Sequence, residues 1–149
     1  MINNLLNSKG HTLVEMLIVL LIITAAIGIP LLSFQSLNEK ISTNHFLDLL
    51  AEDIKYAQQF AYANEKFVYF NTQKNYYYVR QSEMTAAPLK KRKIPDGIKM
   101  ETGTLALHEV AYNVNGNIRK PGTILINTPK GKYRLVFLLG KGRFYLEER

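Results

Sequence analysis

Two groups near the start of the chain are spaced to act on each other: the backbone amine that cleavage before His11 would free, and the carboxylate of Glu15 four residues on. Residues 1–10 are polar and end in Ser8-Lys9-Gly10, and an aliphatic run follows. An ordinary secretory signal places its small-residue cleavage site after the apolar core. Here the small residue comes first, so a cut after Gly10 leaves the greasy segment attached as an anchor and gives His11 a free ammonium. A lone carboxylate at bilayer depth costs about 2.5 to 3.5 kcal/mol, so Glu15 needs a partner. A terminal ammonium on a neighbouring copy supplies one if such helices stack with an axial offset of about four residues, roughly 6 Å. The blander reading is that Glu15 lies near the interface and snorkels out.

The elements that must position these groups follow from the apolar pattern. Between Met16 and Asn38 there is no charged residue. A bilayer core needs roughly 20 apolar residues in a helix, so this run reads as a membrane span. Gly28 and Pro30 fall inside it, and a proline that removes a donor and crowds the preceding turn predicts a kink or melted turn there. Beyond the span, Leu47, Leu50, Ile54, Ala57 and Ala61 recur at helical spacing, with Asp48, Glu52, Asp53 and Lys55 read as largely off that stripe. His11 to Asn64 is therefore expected to be one helix of roughly 80 Å, with Asn44 and Asn64 as interruption and stop signals.

From Phe67 the pattern turns to strands. Phe67–Phe70 and Tyr76–Arg80 predict a hairpin, Val110–Val114 and Thr123–Ile126 a second pair, and Tyr133–Leu139 with Arg143–Leu146 a third. The Met84–Asp96 stretch reads as an exposed connection. The fold class is α+β: leader 1–10, apolar helix half 11–35, amphipathic helix half 36–64, and an antiparallel β head 65–149 packed on the helix.

Composition excludes much chemistry. With no cysteine in 149 residues, disulfides, thiolate zinc sites and thiol nucleophiles are impossible. His11, His45 and His108 are too scattered to suggest a metal site, and no cofactor is expected. Gly140-Lys141-Gly142 starts a dinucleotide fingerprint, but Tyr145 stands at the third glycine position and no helix is expected to follow. The adjacent pairs Glu52-Asp53 and Glu147-Glu148 diverge on a helix or strand, so paired acid–base work is not expected. The chain reads as a non-enzyme with no catalytic residue. The net charge of +7 is uneven: residues 90–149 hold thirteen Lys/Arg against five Asp/Glu. Lys90, Lys91, Arg92 and Lys93 lead a basic set able to attract a polyanion such as DNA or a wall polymer. Nine tyrosines could add stacking on single-stranded bases, although alternating aromatics in strands more often fill a core.

Lys9-Gly10-His11-Thr12-Leu13-Val14-Glu15-Met16 and the apolar residues after it resemble the class III signal of type IV pilins and pseudopilins. That resemblance implies prepilin peptidase cleavage after Gly10, N-methylation of His11, assembly through Glu15, and helix weakening at Gly28 and Pro30. His11 departs from the phenylalanine usual at the first mature position. The small cysteine-free head and the end Leu138-Leu139-Gly140-Lys141-Gly142-Arg143 are similar to minor pilins of Gram-positive competence pili. Implied partners are other pilin subunits, the prepilin peptidase, a pilus assembly membrane protein and ATPase, the cytoplasmic membrane, and transforming DNA directly or through the pilus. The implied location is a single-pass anchor with its head outside the cytoplasm, moving to the cell surface on assembly. Two other readings share these features: a type II secretion pseudopilin, and a single-span protein with a basic DNA-binding head that keeps its leader.

Overall fold

A computed structural model describes residues 12–73, 75–82, 87–140 and 142–149, with the side chains of 28–38 outside the description. The chain divides into two units, 1–38 and 39–149. One helix, α1 (Leu13–Asn64), runs through both. It is not interrupted at Asn44, and its backbone stays helical through Gly28 and Pro30, so the melted turn expected there is absent. One proline removes one hydrogen bond, and the rest of a long ladder carries across it. Among the described residues no helix is long and apolar enough to cross a membrane. The described side chains of the apolar run stop at Ile27, short of the roughly 20 residues a span requires. Within that first unit Leu13 to Ile23 and Ile27 are exposed wherever a large apolar side chain stands.

In the second unit the α1 stripe holds as expected: Leu47, Leu50, Ile54, Ala57 and Ala61 are all buried. Asn64 does mark the stop. Its side-chain amide donates to the Phe60 carbonyl at 3.0 Å, Glu65 takes the left-handed conformation at φ 51°, and the Lys66 amide closes back onto the Ala61 carbonyl.

The head contains two four-stranded antiparallel sheets. β1 (Val68–Gln73) and β2 (Tyr76–Gln81) form the predicted hairpin. β3 (Lys90–Lys93) lies on the other side of β2, so part of the stretch read as a connection is a strand. A strand made only of cations carries no apolar alternation by which to recognise it. β4 (Lys99–Thr102) pairs with β6 (Gly122–Asn127), which continues into β7 (Lys132–Phe137) and β8 (Phe144–Glu148). The third predicted pair is thus β7 and β8. The second is not formed: β5 (Ala111–Tyr112) joins β1 in the first sheet, and Tyr112 only bridges to Ile118. Val68, Phe70, Tyr77 and Val79 from the first sheet and Ile124, Ile126, Leu135 and Phe137 from the second share one core cluster with α1. Gly142 closes the β7–β8 turn at φ 60°, and a Cβ there would fall 2.5 Å from the Gln58 side chain. The turn thereby rests on the helix, and only glycine meets both demands.

Burial of two tyrosines makes the head sensitive to alkali. Burial raises the phenols of Tyr77 and Tyr112 above their ordinary range, and the Asp53 carboxylate raises Tyr77 further. The Tyr112 hydroxyl has no hydrogen-bond partner among the described residues. Both groups stay protonated in the fold and ionise more readily in the open chain. Their contribution is therefore fully present below about pH 10 and lost as pH rises past it, by up to about 1.4 kcal/mol per pH unit for each tyrosine. Urea midpoints measured between about pH 9 and pH 11 should fall; a flat profile would contradict the burial.

Candidate functional site

The N-terminal groups come first. Gly10 and His11, the expected cleavage and methylation residues, lie outside the described residues. Thr12 precedes the helix and its hydroxyl accepts from the Glu15 amide at 3.3 Å, while the Met16 amide closes onto the Thr12 carbonyl at 3.2 Å. Threonine followed three residues later by glutamate is the pattern that satisfies free amides at a helix start. Glu15 is thus fixed in the first turn of α1, exposed, at the end where the helix dipole favours negative charge. Gly28 and Pro30 lie on the same helix, their surroundings outside the described side chains.

The proposed cation cluster is divided by strand alternation. Lys91 and Lys93 are exposed, whereas Lys90 and Arg92 are half-buried. The Lys90 ammonium sits 4.8 Å from the Tyr56 ring centre. Arg92 reaches Asp53, its Nε donating to Oδ2 at 3.0 Å and its Nη2 to Oδ1 at 3.4 Å. The Tyr77 hydroxyl donates to the same Oδ2 at 2.9 Å. Asp53, read as largely off the stripe, is only 3% exposed. The spacing Phe46, Leu50, Asp53, Ala57 places it on the buried face, and this was the signal in the sequence that its polarity masked. The four residues therefore do not form one basic patch.

Three further cations of the head pair with acids. Arg134 pairs with Glu147 across β7 and β8, Lys120 with Glu109, and Lys93 with Asp96 at 3.6 Å. The Lys120 ammonium and then the Ala106 amide hold the Glu109 carboxyl below the usual carboxylate range. Among the described residues no group of three or more His, Asp or Glu side chains could hold a metal ion. His108 is exposed on a short 3-10 turn, Leu107–Glu109.

A helix headed by a capped, glutamate-bearing turn, with its second half packed on antiparallel sheets, defines the class: this is an α+β, type IV pilin-like fold. Residues 5–29 match the family described as "Prokaryotic N-terminal methylation motif". Among solved structures the chain is similar to the type IV minor pilin FimU of Pseudomonas aeruginosa, with a TM-score of 0.56 at 19% identity, over 72% of this chain and 92% of that one. No curated protein sequence matches it.

Proposed function

We propose that the chain is a minor pilin, or pseudopilin, of a competence type IV pilus of the ComGD kind, required for DNA uptake in natural transformation. One observation carries the pilin reading: a methylation motif over residues 5–29 runs into the start of a helix whose described large apolar side chains, from Leu13 to Ile27, are all exposed. At about 25 cal/mol per Å², such a surface demands cover. The cytoplasmic membrane covers it first, with the head outside the cytoplasm, and the stems of sister subunits cover it after assembly. Prepilin peptidase cuts between Gly10 and His11 and methylates His11; an assembly ATPase and its membrane partner drive incorporation; Gly28 and Pro30, helical in this structure, are the weakest stretch of the stem.

Gly10→Val is expected to block processing while Gly10→Ala largely preserves it, because a branched side chain crowds the scissile bond. A mature-size band from Gly10→Val would refute this. Deletion of the gene should abolish transformation. Intact transformation with a secretion defect would assign the chain to a type II secretion pseudopilus instead, and mass spectrometry finding residues 1–10 still attached to membrane-extracted protein would end both readings.

A further inference from the structure

The outward face of the first sheet is unlike the rest of the head. Val68, Phe70, Tyr77 and Val79 point into the core, so the residues between them share the opposite face. The register then lines up ranks across the strands. Asn71 stands opposite Tyr78, which stands opposite Lys91; Gln73 stands opposite Tyr76, which stands opposite Lys93; and Tyr69 stands opposite Arg80. Each full rank is an amide, a phenol and an ammonium.

Two cations of this face, Lys91 and Arg80, lean on rings, whereas Lys93 pairs with Asp96. The Lys91 ammonium lies 4.7 Å from the Tyr76 ring centre and 5.8 Å from that of Tyr78, and the Arg80 guanidinium lies 5.1 Å from Tyr78. No described carboxylate pairs with Lys91 or Arg80, in contrast to Arg134 and Lys120. An open groove of about 880 Å³ runs beside Tyr69, Tyr78, Arg80 and the Asn71 and Gln73 amides, and none of the described residues lining it is a carboxylate.

We propose that this face binds single-stranded nucleic acid, with bases stacked on Tyr69, Tyr76 and Tyr78, base edges meeting the Asn71 and Gln73 amides, and phosphates meeting Arg80 and Lys91. Magnitudes favour exchange of the resident contacts for such a ligand. An exposed cation–π contact is worth about 0.5 to 1 kcal/mol, whereas a base stacked on an aromatic ring is worth about 1 to 3 kcal/mol. An arriving phosphate draws the lysine off the ring, and the base takes its place. A duplex hides its base faces and a glycerol-phosphate wall polymer has none, so neither would use the tyrosines and amides. This inference stands apart from the assembly reading: binding by a chain that complements no uptake defect would sink only the latter.

The test uses the full chain in detergent, a fluorescein-labelled oligothymidylate, and anisotropy across a salt series. Expected are displacement by unlabelled single strand at a concentration at least about tenfold lower than by duplex or by glycerol-phosphate polymer, and a loss of about tenfold or more for Tyr69→Ala with Tyr78→Ala at unchanged salt slope. Tyr78→Phe should bind like the parent, and Arg80→Gln with Lys91→Gln should lower the slope by about 1.4. Absence of binding, or equal competition by duplex or polymer, overturns the proposal on the unaltered protein, whatever alanine does to the sheet. So does full binding by the double tyrosine variant.

Discussion

Asp53→Ala is expected to unfold at markedly lower urea than the parent chain. The carboxylate is 3% exposed and receives three hydrogen bonds, two from Arg92 on β3 and one from the Tyr77 hydroxyl on β2. It therefore ties α1 to two strands at once. Its removal strands the Tyr77 hydroxyl in the core, a penalty of about 1 to 3 kcal/mol. It also leaves Arg92 without its acid. Breaking a buried pair usually costs about 3 to 5 kcal/mol, but the Arg92 side chain is 38% exposed and can turn to water. A net loss of roughly 2 to 4 kcal/mol follows, read as a lower urea midpoint at unchanged slope. A variant as stable as the parent would show that the triad carries no stability.

The second large effect is on assembly. Glu15→Val keeps the bond from the backbone amide of residue 15 to the Thr12 hydroxyl, so the helix start retains that half of its cap. Insertion should become easier, by about 2.5 to 3.5 kcal/mol if the carboxylate lies at bilayer depth, and leader removal should continue. What disappears is the charge proposed to meet the ammonium of a neighbouring His11. Incorporation into pili, quantified by blotting sheared filaments, should fall by about tenfold or more, the equivalent of at least about 1.4 kcal/mol per contact. Normal filaments and normal transformation with this variant would contradict the pairing.

How much of this was legible in the sequence depended on how local the signal was. The buried helical stripe and the β1–β2 hairpin can be read from neighbours a few residues apart, and both hold. Asp53 was misplaced because a charged type was set against a position that spacing alone assigns to the core. β3 and β4 escaped because strands such as Lys90–Lys93 have no apolar period, whereas β5 falls inside the strand read at Val110–Val114 and only its partner was misassigned. The division into two sheets rests on pairings far apart in the chain, β1 with β5 and β4 with β6, which no turn signal announces. The methylation motif is wholly local and was readable outright. The tyrosine ranks were not, since Lys91 meets Tyr78 only once β3 has been laid beside β2.

That same strand has a second effect. Lys90–Lys93 forms one rim of the first sheet, where unsatisfied backbone groups invite another chain to add on. Arg92 and Lys93 are paired with Asp53 and Asp96, but Lys90 and Lys91 meet no described acid, so a second copy approaching sideways meets their like charge. If the chain joins its kin through its apolar helix as proposed, this charge keeps the sheet rim from offering a competing contact.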